Sequence, residues 1–487
     1  MANWTQKDLE AAEEQITAIA AEQGLNVYDR EYEICDANEM IGYEAYLGMP
    51  SRYPHWSFGK AYERTSTLYR YGVQGLAYEL VINSDPCLAY LMRSNLLALQ
   101  ILTMAHAGFG HNDFFKNNRN FAWTQAARTL TRFKAHADRI RSYRKDPSIG
   151  PKRVEQLLTA AHALSLNRPR TPGALHLTQD EQQQQAFERM QQAPDEWRQI
   201  HQRREQKITD LNRVPLEPEA DLLLFIRDRN PLLESWEQDV LTIVAREADY
   251  FWPQIETKIM NEGWATFWHH TILNRMRLPT ALQMEWITVH NQVVAPPPVG
   301  GLNPYRFGFE LYKDIERRYG RERIFTVRKV DRDVSFIKQY VTEDFLRRMF
   351  FIEYAEDDEE LMVTDTVNED NWRDLRDRLI RNIGSNAIPD IRVYDSNFKG
   401  AQTLLLLHCF DGRSLHPEYA HHTLRHIQTL WRRRVHLLTW NMKEDACWLF
   451  SAEVDGKVTQ HKHCDSSDCP LRAWMQEHGV RKEEDAE

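Results

Sequence analysis

Read as a pattern of apolar and polar positions, the chain is mainly helical to about residue 320 and mixed beyond it. Thr5 to Gln23 is an amphipathic helix: Leu9, Ala12, Ile16 and Ile19 share one face, Thr5 and Asp8 make a capping-box-like start, and Gly24 stops it. Residues 26–60 lose the period and read as irregular and aromatic. Gly75 to Asn83 alternates, with Leu76, Tyr78, Leu80 and Ile82 on one side and Glu79 on the other, which predicts a strand. Asp85 and Pro86 then read as the N-cap and first position of a helix whose face runs through Leu88, Leu91 or Met92, Asn95, Leu99 and Leu102 to His106. Helices are expected over Thr124–Tyr143 and Pro151–Leu166, the second carrying His162. Residues 168–220, with four consecutive glutamines from Gln182 to Gln185, read as a polar linker.

The most informative stretch is Met260 to Met276. Ile259, Glu262, Thr266, His269 and Leu273 fall on one stripe of a helix, and Met260, Trp264, Phe267, Trp268 and Ile272 make its other side apolar as well. A helix apolar all round is buried, so Glu262 and His269 are expected inside the protein, two turns apart. A buried carboxylate is costly unless it is paired or holds a metal, so something must meet Glu262. The partners expected are His106 and His111. Five residues separate them, roughly 140° around a regular helix. Gly108 and Gly110 between them could distort the helix and bring the second ring round.

Beyond a Pro/Gly loop at 293–308 the pattern predicts a helix over Glu310–Tyr319 and a helical stretch over Val334–Met349. A strand over Glu360–Val367 and a helix over Asn371–Ile383 follow. Strands Ile391–Tyr394, Thr403–Phe410 and Val435–Trp440 with helix Pro417–Arg432 make a small α/β unit that has no Gly-rich phosphate loop and no nucleophile elbow. Asp455-Gly456 reads as a two-residue hairpin turn, which pairs Val454 with Lys457 and sets Cys447 opposite Cys464. Cys447, Cys464 and Cys469 with a nearby His are then a second possible zinc site, the alternative being a reduced cross-strand thiol pair. The fold expected is α+β. A large, mainly helical domain (1–320) with a gluzincin-like strand/helix core is followed by a small α/β domain (321–445) and a C-terminal β-hairpin with its tail (446–487).

Composition narrows the function classes. A net charge of −10 over 487 residues argues against a nucleic-acid binder. The nearest approach to a membrane span, Leu88–Gly110, contains Arg93, Asn95, Gln100 and His106. The charged N-terminus has no apolar signal region, and six cysteines in so long a chain are no disulfide framework, so a reducing, cytoplasmic setting is expected.

Two buried helices bearing His and Glu behind a strand are similar to the gluzincin metallopeptidase layout, and Asn261-Glu262-Gly263-Trp264-Ala265 resembles its second-helix motif. HAGFGH differs from H-E-x-x-H in spacing and lacks the glutamate that activates water. The expected zinc ligands are His106, His111 and Glu262, with His269 as a ligand or an orienting neighbour and Glu79 as general base. His55, Trp56, Lys60, Asn112 and Asn261 are the expected pocket-lining residues; the crowded Tyr53–Lys60 loop could equally plug a core. A hydrogen-bonded core network without metal is the competing explanation for the whole set.

GMPSRYPHWSFGKAYER, GLAYELVINSDPCLAYLM, AHAGFGHNDFFKNN, MNEGWATFWHHTILN and GLNPYRFGFELYKDIE, in this order, resemble the SpoVR-like proteins, the stage V sporulation protein R family. The resemblance extends to about residue 440 and leaves out the Cys-containing tail after residue 445. AAHALSLNRPR departs from the family's run, so no role carries over to His162. The resemblance implies a bacterial cytoplasmic protein linked to spore cortex formation or to stress signalling. It also implies association with a PrkA-type serine kinase and a von Willebrand A-like protein, for which a non-enzymatic adaptor is the alternative function.

Overall fold

The computed structural model describes residues 4–71, 79–170, 177–191, 211–298, 301–350, 352–357, 360–463 and 469–477. Contacts group the chain into two compact units, each assembled from separated stretches. Residues 1–142 and 249–387 form the first, and residues 143–248 and 388–487 the second. The segment following residue 320 is therefore shared: up to Ala387 it belongs with the helical unit. The architecture is α+β, mostly helical, with a strand-rich C-terminal region.

In the first unit a three-stranded sheet is built from β1 (Arg30–Cys35), β2 (Glu79–Ile82) and β3 (Cys87–Met92). β3 lies in the middle, parallel to β1 and antiparallel to β2. This corrects two expectations. Residues 26–60 are ordered as β1 and two helices, Ala37–Ala45 and Trp56–Arg70. Residues 87–92 are a strand and not the first turns of a helix from Asp85; the helix begins at Leu97. A short apolar run fits a helix face or a doubly covered strand equally well, and here partners on both edges decide for the strand. Leu76 and Tyr78 of the expected strand lie outside the described residues.

The central helix, Lys258–Arg275, is buried along its length, with Trp264 and Trp268 wholly enclosed. Its own N-cap, Thr257, gives no side-chain capping bond, its hydroxyl donating instead to the Pro253 carbonyl. The cap comes from afar: the Asp333 carboxylate accepts from the backbone N–H of Ile259 and Met260 at 2.9 Å. Asp333 opens the first of two helices, Asp333–Tyr340 and Glu343–Arg348, that divide the single stretch expected over 334–349. The break falls where Thr342 caps the second helix through its hydroxyl.

Glycines set how closely neighbours approach this helix. A Cβ on Gly263 would lie 2.4 Å from the Gly308 backbone in the 304–319 helix, and one on Gly110 would lie 2.5 Å from Ala265 Cα. Gly263→Ala must push two backbones apart. The strain outweighs the roughly 1 kcal/mol that alanine gains in a helix, and a net loss of about 2–3 kcal/mol is expected from denaturant melts. Gly59→Ala, in an exposed helical turn with nothing within 4 Å, is the control and is expected to be neutral or slightly stabilising.

The second unit carries a five-stranded sheet in the order β10-β9-β8-β7-β6, with β6 Ile391–Phe398, β7 Thr403–His408, β8 Val435–Asn441, β9 Ala446–Ala452 and β10 Val458–Lys462. Only β7 and β8 run parallel, and the helix Pro417–Trp431 joins them. A two-stranded ribbon earlier in the chain, β4 (Ile352–Asp357) with β5 (Glu360–Thr366), belongs to the first unit. The β9–β10 register differs by one residue from the expected one. Val458 pairs with Ala452, so the loop is three residues long with Gly456 at φ +80. The N–H of His463 reaches the Cys447 carbonyl, where the expected register placed position 464 opposite Cys447. A glycine in the left-handed region suits a three-residue turn, and the slip moves every facing pair by one.

Candidate metal centre

His106 and His111 lie on one π-helical segment, Met104–His111, set between the short helices Leu97–Thr103 and Asn112–Asn117. An i→i+5 turn stacks residues five apart, which a regular α-helix cannot do, and such bulges concentrate at functional sites. The two rings accordingly meet edge to face, with centroids 4.7 Å apart. Gly110 allows this segment to press on the central helix at Ala265, one turn from Glu262.

Four side chains converge. His106 Nε2 stands 3.1 Å from Glu79 Oε1 and 3.7 Å from Glu262 Oε2. His111 Nε2 stands 3.8 Å and 3.4 Å from the same two oxygens. One ligand atom from each of the four lies within 4.8 Å of every other. Glu79 is the first residue of β2, opposite Leu91 on β3. The imidazoles are buried, whereas the Glu79 and Glu262 side chains remain 10% and 16% exposed, so the carboxylates border the opening.

The groups point at a common centre and not at one another. His106 Nε2, Glu79 Oε2 and Glu262 Oε2 are buried without a hydrogen-bond partner, and the 3.1 Å approach to Glu79 is misaligned for one. Buried polar atoms are rarely left so. A divalent ion bonded at about 2.0–2.2 Å needs tetrahedral edges of about 3.3–3.6 Å; the His111–Glu262 edge of 3.4 Å lies in that range, and those of 3.1, 3.7 and 3.8 Å lie about 0.1–0.2 Å outside it.

Each imidazole is locked from behind. His111 Nδ1 donates to Asn261 Oδ1 at 2.8 Å. His106 Nδ1 lies 2.8 Å from His269 Nδ1, and His269 Nε2 lies 2.8 Å from His290 Nδ1. Burial, reinforced by the charge of His106, holds His269 well below the ordinary imidazole value, so it is neutral. Burial also lowers His290, to about 4. Whether His106 is protonated or offers a lone pair from Nε2, its Nδ1 must carry a proton. The chain therefore runs one way, with His106 donating to His269 and His269 to His290.

Charge balance is equally specific. Burial alone would raise the Glu262 and Glu79 carboxyls, but the close, positively charged His106 and His111 rings overcome it and hold both below their ordinary value. Conversely, burial would lower the imidazoles, but the two carboxylates raise both, His111 to about 10. Tyr305, near the start of the 304–319 helix, is buried beside Glu262 and Glu79, and burial with the two carboxylates keeps its hydroxyl protonated.

The remaining expected residues lie elsewhere in local roles. His55 caps the Trp56–Arg70 helix, its ring accepting from Ser57 N. Trp56 is half exposed, with the Lys60 ammonium 5.9 Å from its ring centre. Asn112 is buried against the Tyr28 backbone, accepting from its N–H and donating to its carbonyl. His290 and Tyr305 were not singled out by sequence; the signal available was a histidine one turn after Trp286 in an amphipathic stretch, and a tyrosine beside the Asn303-Pro304 helix start. In the second unit Cys447 and Cys469 are in contact, Sγ to Sγ 3.7 Å, while Cys464 lies outside the described residues.

Among the described residues no helix is long and apolar enough to cross a membrane. No solved structure matches the chain. An uncharacterized protein of Escherichia coli (strain K12), YcgB, is 35% identical over 471 aligned residues, covering 88% of this chain and 91% of that one. The family model for SpoVR like protein matches residues 3–388, and that for the SpoVR-like C-terminal domain matches residues 389–442. The two models meet beside the boundary of the compact units at Ala387, and together with the relative they make the chain a member of the SpoVR family.

Proposed function

We propose that the first unit is a divalent-metal site serving hydrolysis, with zinc as the metal. One observation carries the reading: two imidazoles and two carboxylates from three separate elements each bring a ligand atom within 4.8 Å of the others, and His106 Nε2 and Glu262 Oε2 among them have no hydrogen-bond partner. His106, His111 and Glu262 hold the ion, a His₂Glu set that zinc hydrolases use. Glu79 is the second carboxylate at the opening, available as a base for a water proton or as a fourth ligand. A zinc ion supplies Lewis acidity and lowers the pKa of water to about 7. The chain's own groups supply the rest. His269, His290 and Asn261 keep both Nε2 atoms aimed inward, Tyr305 offers a protonated hydroxyl at the same carboxylate, and the buried imidazoles exclude bulk water. A role in sporulation or stress signalling in the cytoplasm is the setting this reading adopts from the family resemblance.

The test is elemental analysis of the full-length protein purified without chelators. One zinc per chain is expected, lost in His106→Asn protein whose circular dichroism is unchanged. Wild-type protein that neither carries zinc nor takes it up on titration overturns the proposal.

A further inference from the structure

The second unit holds another chemically competent pair. Cys447 is on β9 and buried among Leu405, Leu438, Trp440 and Leu471. Cys469 immediately precedes the helix Pro470–Glu477, which packs against β7 and β8. This brings two thiols that are 22 residues apart to 3.7 Å, both almost completely buried. Two cysteines in contact in a chain without a disulfide framework point to redox or metal chemistry more than to a structural staple.

The surroundings of the two sulfurs differ. Cys469 immediately precedes the first turn of its helix, and its sulfur is close to the backbone N–H groups of Leu471 and Arg472 there. The Cys447 thiol is placed to donate to it. Hydrogen bonding from Cys447 is the largest influence, and with the helix amides it pulls the Cys469 thiol down to about 6 against the opposing effect of burial. By contrast Cys35 and Cys87, buried in the first unit, are pushed up, to about 11 and about 12.

We infer that Cys447 and Cys469 form a redox-active dithiol, with Cys469 as the attacking sulfur and Cys447 as the resolving one. The oxidant is a peroxide. The Cys469 thiolate attacks one peroxide oxygen, breaking the O–O bond; it becomes a sulfenic acid, and the departing hydroxide takes up a proton to give water. Cys447 then attacks the oxidised sulfur, an S–S bond forms, and a second water leaves carrying the Cys447 proton. Both sulfurs are oxidised by one electron each and the peroxide is reduced by two. A thiolate already touching its resolving partner converts to the disulfide before further oxidation.

The experiment treats full-length protein with hydrogen peroxide, removes the peroxide, unfolds the chain in guanidinium chloride, blocks remaining thiols with iodoacetamide and maps peptides with and without reduction. A Cys447–Cys469 bridge that dithiothreitol releases is expected, with Cys35 and Cys87 alkylated. Cys447→Ser protein is expected to trap Cys469 as a dimedone adduct and to form no bridge. Three results overturn the inference: both cysteines remaining alkylatable, Cys469 joined to Cys464 instead, or thiols protected by a zinc ion that is lost in Cys469→Ser but kept in His106→Asn protein.

Discussion

Glu262→Gln protein is expected to fold and to lose its zinc, with affinity at least about 100-fold weaker in competition with a chromophoric chelator. The magnitude follows from the role. Changing a residue that merely orients a ligand costs about 10–100-fold, and Glu262 is proposed as a ligand itself. Glutamine keeps the shape but removes the charge, and a carboxamide oxygen is a poor replacement. The substitution should also be visible without metal. Glu262 is the strongest influence raising His111, ahead of Glu79, so removing its charge lets burial pull that imidazole back toward neutrality. NMR titration of the His111 ring in metal-free protein checks this independently of metal binding. Unchanged zinc affinity in a folded Glu262→Gln protein would falsify the assignment of this carboxylate.

The second large effect is a steep pH dependence of metal affinity. Two negative carboxylates face two imidazoles, and the centre is balanced either by two protons or by one divalent cation. Zinc entry therefore displaces protons from both His106 and His111, and affinity should rise by about 100-fold per pH unit while both are protonated. The sign follows from the shifts. His106 and His111 are raised, so their contribution to metal-free stability is complete below the ordinary imidazole value of 6.5 and is lost as pH climbs through about 10, where His111 gives up its proton. Glu79 and Glu262 are lowered, so theirs is present above the ordinary carboxyl value of 4.5 and is lost in acid. Metal-free protein is thus steadiest under mildly acidic conditions, and the gain in melting temperature on adding zinc widens from about pH 6 to about pH 8. Isothermal titration calorimetry in buffers of different ionisation enthalpy counts the displaced protons. A count near zero would sink the two-proton picture.

The burial of the central helix, and hence the need for a partner to Glu262, is legible in the chain alone, because an all-round apolar surface cannot face water. Also legible there are the Thr5 cap, the helices over 6–22 and 417–431, and the strands of the second sheet, whose periods are long and unambiguous. The rest depended on how the elements pack. Residues 87–92 are a strand because edges on both sides pair with it, which no local period records. The hairpin register turned on one residue of loop. Glu79 could be placed on a face of its strand, but which elements that face meets is a property of the packed sheet and helices. The five-residue step from His106 to His111 reads as a misfit on an α-helix. It becomes an alignment only when tertiary packing at Gly110 and Ala265 holds the segment as a π-helix. Residue types and their spacing are local, whereas the meeting of atoms from β2, the π segment and the central helix depends on long-range contacts that the spacing does not encode.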